Sequence, residues 1–340
     1  MSERPNATAA GPEAAERELL RRLIAGPVSG DALARACGQT RAAVWKRIQA
    51  LRAAGVAIVA RAGLGYQLVH PVELLDAARI LDALPPGVRG EVAELAVRWS
   101  VASTSSELLA APPGPGVRVL LAERQTGGRG RRGRGWASPL AANLYLSLAR
   151  GFESGLARLP GVSLVAGVAA TEALHSLGVA GVRLKWPNDL VVAAADGRLR
   201  KLGGILVEGG GEHAGPVRAV IGIGLNVRMP AATEIDQPWI DLAALADGAP
   251  PSRNALAAAL LARLLPALDA FDRDGLEPFQ ERYARWDALR DAEVVVHAGR
   301  EAHVGRMLGL AGDGALRVAL PGGERRFHAG EVSLRAGVPE

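Results

Sequence analysis

The chain reads as a multidomain α/β (α+β) protein, with an N-terminal winged helix-turn-helix, a central body on a mixed sheet and a small C-terminal β-barrel. Three observations predict this. Helical periodicity with surplus positive charge fills the first 66 residues, helical and strand-like segments alternate through the middle, and short glycine-punctuated strands close the chain. At 340 residues the chain exceeds one ordinary domain. The expected divisions are a disordered tail at 1–13, a winged helix domain at 14–70, a central domain at 71–288 and a C-terminal domain at 289–340.

Residues 1–66 contain ten Arg/Lys and five Asp/Glu, which accounts for the whole formal charge of +5. A helix is expected from Glu16 to Ala25, with Leu19, Leu20, Leu23 and Ile24 on one face and Gly26-Pro27 ending it. Asp31 to Cys37 makes a second helix, stopped at Gly38. Thr40 caps a third, whose stripe is Val44, Ile48 and Leu51. Arg41, Lys46, Arg47, Gln49 and Arg52 lie mostly off that stripe. Ala57–Arg61 and Tyr66–Val69 flank a glycine turn and read as a β-hairpin wing. A basic outer face beside a wing is the pattern of a DNA-reading module. Its expected contacts are Thr40, Arg41, Trp45, Lys46, Arg47 and Arg61. Trp45 reads two ways, as a flank of the core or a contact for DNA or a partner, with the core favoured. The bland alternative is a three-helix bundle whose charges form a solvated face.

Cys37 is the one cysteine. It excludes an internal disulfide and a cysteine metal cluster, and is expected as a small buried hydrophobe. A reducing, cytoplasmic setting follows. The N-terminus lacks a basic-then-apolar signal pattern, and no apolar run is expected to approach the roughly 20 residues of a membrane span.

The segment Gln125-Thr126-Gly127-Gly128-Arg129-Gly130-Arg131-Arg132-Gly133-Arg134-Gly135-Trp136 lies between the strand-like Val117–Ala122 and Asn143–Leu148. Its glycines let the backbone approach a ligand, and its arginines offer forked donors suited to a phosphate or carboxylate. The alternative is a disordered basic tract touching nucleic acid nonspecifically. Only three of the forty basic residues are lysines, Lys46, Lys185 and Lys201. They mark places where a compact ammonium serves and a planar guanidinium does not.

A strand at Arg98–Ala102 leads to Ser103-Thr104-Ser105-Ser106-Glu107, where Thr104 and Glu107 have capping-box spacing. Leu159–Leu177 is a long apolar helix. Val182–Val192, carrying Lys185-Trp186-Pro187-Asn188-Asp189, pairs as a hairpin with Arg198–Glu208, carrying Lys201-Leu202-Gly203-Gly204. Val217–Val227 is a buried strand with Gly222-Ile223-Gly224-Leu225-Asn226. Helices at Ser252–Phe271 and Glu277–Trp286 close the body. Short strands follow at Glu293–Ala298, His303–Leu310, Ala315–Leu320 and Arg325–His328. The six histidines, His70, His175, His213, His297, His303 and His328, lack metal-ligand spacing, so no metal site is expected.

In this order the glycine-arginine loop, Lys185-Trp186-Pro187-Asn188-Asp189, Lys201–Glu208 and Gly222–Asn226, preceded by the winged helix, resemble the bifunctional biotin protein ligase and biotin operon repressor family. The resemblance runs from about Ala14 to the C-terminus. It implies a class II synthetase-like central fold and an SH3-like C-terminal domain. It also implies ATP-dependent formation of biotinyl-5′-adenylate with Mg²⁺, then transfer to a lysine of biotin carboxyl carrier protein, a subunit of acetyl-CoA carboxylase. The adenylate would serve as corepressor of a homodimer on operator DNA, with no membrane partner.

Carried over by position, Ser103, Thr104, Ser105 and Gln125 would hold biotin. Arg129, Gly130, Arg131, Arg134 and Trp136 would fold over biotin and adenylate. Lys201 would meet the carboxylate and α-phosphate, with Gly203 beside it, and Asn226 and Trp239 would lie near adenosine. Arg131, Lys201, Asp189 and Lys185 would carry the chemistry, Asp189 near the acceptor lysine. Ser105 stands where the family more usually has Asn, and Gly135 where it often has Lys. Three rival readings remain: a lipoyl or octanoyl transferase on the same fold, a repressor that only senses biotin, and a ligase whose DNA-binding module is vestigial.

Overall fold

The structure, a computed structural model, describes residues 11–153, 155, 158–211, 217–231, 233–246, 249–329 and 332–336. Most of the expected tail, residues 1–10, lies outside these, as does His213. Pro12 and Glu13 belong instead to α1 (Pro12–Ala25), because proline at the first helical positions loses no intrahelical bond. Helices α2 (Gly30–Ala36) and α3 (Arg41–Ala53) are capped by Ser29 and Thr40, whose hydroxyls accept from Ala32 N–H and Ala43 N–H. The wing pairs β1 (Ile58–Arg61) antiparallel with β2 (Gly65–Leu68). Cys37 is the C-cap of α2, outside its last helical turn, and is only half-buried, which corrects its expected burial.

The core of this module does not stop at His70-Pro71. Trp99, Leu140 and Ala141 from the body join Leu19, Leu23, Ile48 and Leu51 in one cluster. Leu140 N–H donates to Ala54 O at 2.8 Å, and Trp99 Nε1 to Glu16 at 3.2 Å.

In the body, α4 (Ala77–Asp82) and α5 (Pro86–Glu91) precede β3 (Val92–Val101), α6 (Thr104–Ala110), β4 (Val117–Gln125), β5 (Leu144–Phe152) and α7 (Leu159–Ser176). Then come β6 (Val182–Lys185), β7 (Asp189–Ala193), β8 (Leu199–Gly211), β9 (Val217–Leu225), α8 (Leu242–Leu245), α9 (Arg253–Asp274) and α10 (Glu277–Trp286). A seven-stranded mixed sheet has the order β3-β4-β5-β9-β8-β7-β6, with β3 parallel to β4 and the rest antiparallel. The single strand expected over 182–192 is two. Pro187 cannot donate to a ladder, so the chain reverses between Lys185 and Asp189.

Helix α9 corrects the expectation about apolar runs, since it is long and apolar enough to cross a membrane by length and composition. Its Leu256, Leu260, Leu261, Leu264, Leu268 and Phe271 are buried, and it packs on α7 in the main core.

The C-terminal strands β10 (Glu293–Ala298), β11 (Glu301–Leu310), β12 (Leu316–Leu320), β13 (Gly323–Phe327) and β14 (Val332–Ala336) form one antiparallel sheet, order β13-β12-β11-β10-β14. β14 was not expected from the sequence. Trp186 Nε1 donates to Gly314 O at 3.1 Å, fastening this sheet to the β6–β7 turn.

Candidate functional site

The glycine-arginine segment is ordered as a tight hairpin between β4 and β5. Trp136 N–H donates to Gly128 O at 2.9 Å and Gly130 N–H to Arg134 O at 2.7 Å. At its tip Arg132 (φ 58°) and Gly133 (φ 70°) both take left-handed backbone, the pairing a two-residue hairpin turn requires.

This hairpin lays Trp136 over a bare patch of sheet. Gly204 and Gly224 are register partners on β8 and β9. A Cβ on Gly224 would fall 2.6 Å from the Trp136 ring, and one on Gly204 3.2 Å from Lys201 Cε. The site face therefore opens at Gly204. Gly203, expected there, points to Leu225 and Leu190 in the core, because successive strand residues alternate faces.

Lys201 lies in this gap. Its Nζ is 2.6 Å from Asp189 Oδ1 and 5.4 Å from the Trp136 ring centroid, and its side chain is 18% exposed. A β-bulge between Leu190 and Val191 sets this register. Lys201's backbone is held by Pro238 O, Ile240 N–H and the Asn226 amide. Asn226 Nδ2 is thus committed to carbonyls of Lys201 and Ile240, and Trp239 lies beside Lys201 as a parallel bridge partner. Lys185 stands opposite Asp189 in the β6–β7 register.

The loop arginines divide. Arg129 pairs with Glu208 at 3.0 Å and donates to Ser106 Oγ. Arg131 donates to Asn188 Oδ1 at 3.2 Å and to Ala329 O, so the C-terminal segment reaches the loop. Burial lowers the Arg131 pKa, opposed by the charge of Asp189. Arg134 is exposed and is not brought to Lys201.

Beneath the loop, Ser103 rather than Thr104 caps α6, its hydroxyl accepting from Ser106 N–H. Thr104 is turned inward to Gln125 and Ser147, and Ser105 also reaches Ser147. Ser147 was missed in the sequence. It stands at the centre of β5, opposite Gly222, a register that the fold alone sets.

On the winged helix, Trp45 is 55% exposed, against the core reading. Its position falls outside the arc of Val44, Ile48 and Leu51, which fills the core side of α3. Lys46 and Arg61 are also exposed. Three expected DNA contacts have other partners. Thr40 caps α3, Arg41 pairs with Asp31 at 3.2 Å, and Arg47 donates to Gln39 and Pro12 O.

Behind the β6–β7 turn, Asp287 is 5% exposed and bridges to Leu184, and Ala288 N–H donates to Leu184 O at 2.7 Å. Burial pushes its carboxyl from 3.8 up to about 6. A raised carboxyl pKa means the fold favours the neutral acid. That contribution is complete below about pH 4 and is lost as pH rises through about 6. Asp287→Asn keeps the acceptor for Leu289 N–H and removes the buried charge. It is expected to raise stability at pH 8 by up to about 3 kcal/mol and to change little at pH 4. Thermal unfolding across that range checks it, and a pH-independent difference would contradict it.

Residues 16–67 match the model of an HTH domain, 100–226 that of the Biotin/lipoate A/B protein ligase family, and 293–335 that of the Biotin protein ligase C terminal domain. The chain is 40% identical over 318 residues to the Bifunctional ligase/repressor BirA of Salmonella typhimurium, covering 91% of this chain and 93% of that one. Its counterpart in Escherichia coli is 39% identical over 311 residues, with the same coverage. Among solved structures, the biotin protein ligase from Aquifex aeolicus in complex with biotin and ATP superposes with a TM-score of 0.62 at 28% identity. That match covers 72% of this chain and 100% of the other.

Proposed function

The chain belongs to the biotin protein ligase family, among its bifunctional ligase/repressors, and from that membership we propose the reaction it performs and the residues that perform it. A carboxylate oxygen of biotin attacks the α-phosphorus of ATP, pyrophosphate leaves, and biotinyl-5′-adenylate forms. The amine of a carrier-domain lysine then attacks the acyl carbon, AMP leaves and the amine loses a proton. Carrier proteins of the acetyl-CoA carboxylase type are the proposed acceptors.

The observation that carries this reading is the Lys201 ammonium, set between Asp189 and Trp136 on a glycine floor under an arginine-bearing hairpin. An ammonium has three N–H donors. Asp189 takes one, which leaves others for a carboxylate and a phosphoryl oxygen approaching together. Fixed cations placed where charge develops lower the barrier without reorganising at the moment of reaction. Mg²⁺, brought with the nucleotide, would supply charge neutralisation of the polyphosphate. The hairpin excludes water from a hydrolysable anhydride. In this reading Asp189 holds the acceptor amine and Lys185 keeps the turn cationic.

Arg131 joins the loop to Asn188 and to Ala329. Arg131→Gly is expected to release adenylate into solution and biotinylate bystander lysines. Unchanged retention of adenylate would refute that role.

The repressor half rests on exposed Trp45, Lys46 and Arg61 beside a wing. A homodimer matched to two half-sites, with adenylate as corepressor and a cytoplasmic location, completes the proposal. The proposed modules keep the expected divisions 71–288 and 289–340, with the first, expected at 14–70, drawn back to Pro12. Incubating a carrier domain with the protein, ATP and either biotin or lipoate, and weighing it by mass spectrometry, tests the ligase. A gain of one biotinyl group with biotin alone is expected. A gain with lipoate would favour the lipoyl transferase, and no gain would leave a biotin sensor.

A further inference from the structure

A buried chain of polar side chains runs beneath the hairpin, and its protons have one consistent arrangement. Thr104 N–H donates to Gln125 Oε1 at 2.9 Å, which fixes the oxygen end of that amide. Thr104 Oγ1 donates to the same oxygen at 3.1 Å, so its single proton is committed. The 2.7 Å contact between Thr104 Oγ1 and Ser147 Oγ therefore carries the proton of Ser147. By the same count, the 2.9 Å contact between Ser105 Oγ and Ser147 Oγ carries the proton of Ser105. On the other side Gln125 Nε2 donates to Ser138 Oγ at 3.2 Å, and Ser138 donates to Trp136 O at 3.0 Å. Ser105, Ser147 and Thr104 thus direct every hydroxyl proton toward Gln125. Their oxygens keep unused lone pairs and no unused proton. Ser147 is 1% exposed, at the centre of the relay. The facing strand is bare there, since a Cβ on Gly222 would fall 2.6 Å from Ser105 Oγ and 3.4 Å from Ser147 Oγ.

We propose that Ser147 is a positioning residue that sets substrate specificity, by orienting the Ser105–Thr104 floor so that it accepts hydrogen bonds and does not donate them. The proposal rests on the ligase reading and adds to it which head group the floor selects. A ureido ring offers two N–H donors to such a floor. A dithiolane ring or an alkyl terminus offers none, and would leave desolvated lone pairs without partners. Sites built to hydrogen-bond a substrate group reject analogues lacking it far more strongly than apolar pockets discriminate by shape. The same arrangement accounts for Ser105 in place of the usual Asn. Its hydroxyl heads the proton relay, and the hydrogen bond runs to Ser147.

Ser147→Ala removes the acceptor of Ser105 and the donor to Thr104, freeing the Ser105 hydroxyl to turn and donate. The test is ATP–pyrophosphate exchange by the full chain with biotin, with desthiobiotin (which keeps the ureido ring) and with lipoate. In Ser147→Ala, biotin and desthiobiotin are each expected to lose ~10-fold or more in kcat/KM, mostly through KM, while lipoate does not fall. Ser147→Thr, which keeps the hydroxyl, is expected to restore discrimination to within ~3-fold of the parent. Should Ser147→Ala fail to fold, Ser105→Ala, which deletes the first donor, is expected to show the same selective loss. Equal losses for biotin and lipoate, or a Thr variant as poor as Ala, would overturn the role of Ser147. A parent protein with no biotin-dependent exchange would overturn the ligase reading itself, and is told apart by the parent alone.

Discussion

Lys201→Ala is expected to lower biotin-dependent pyrophosphate exchange by about 10²–10³-fold, the usual cost of removing one preorganised donor from a site of developing charge. The loss should fall on kcat more than on KM, because the proposed holder of biotin's ring is a separate set of side chains, the hydrogen-bonded Ser105–Gln125 floor. Lys201→Arg is expected to recover only a small part. The ammonium sits 2.6 Å from Asp189 with the Trp136 ring close beside it, and a planar guanidinium does not fit that gap while still presenting donors outward. Exchange in Lys201→Ala above about a third of the parent rate would remove this residue from the first step.

Arg253→Met is expected to destabilise the central body by about 3–5 kcal/mol, because it strands a buried carboxylate. Glu123 is fully buried and Arg253 is 4% exposed, and they pair at 2.7 Å. Arg253 also donates to Asn143 O and Glu73 O, while Glu123 accepts from Leu75 N–H. The pair therefore joins β4, the start of β5, the segment at 73–75 and α9. The Asn143 side chain in turn accepts from Val227 and Arg228 N–H, beside Asn226. Loosening this network is expected to weaken nucleotide binding as well as stability. Urea unfolding of the two proteins at pH 7 measures the effect. A shift equivalent to less than about 1 kcal/mol would show that water or a neighbour replaces the guanidinium at little cost.

Much of this was legible in the sequence where local chemistry decides the structure. The wing turn at Gly63–Gly65, the capped α3 after Thr40 and the long apolar α7 follow from spacing and capping alone. The scarcity of lysine pointed to Lys201, which the structure pairs with Asp189. What the sequence hid was long-range. Which of Gly203 and Gly204 faces the site depends on strand register and a bulge, and one residue reverses the answer. Ser147 reads as an ordinary strand serine until β5 brings it under α6. The sequence shows the charge of Arg47 and Arg41 but not the Gln39 and Asp31 partners that folding supplies. The exposure of Trp45 is the converse case, since a large aromatic beside a core stripe is usually drawn inward.

In the proposed reaction the 125–136 hairpin closes over a reactive intermediate held at Lys201. Limited proteolysis of the full chain, with cleavage within 129–134 followed by mass spectrometry, tests it in four conditions: no ligand, biotin, ATP, and both together. Cleavage at Arg131, Arg132 and Arg134 is expected in the free protein, with strong protection by both ligands together, exceeding that with either alone. Equal cleavage in all four conditions, in a protein that still consumes ATP and biotin, would contradict it.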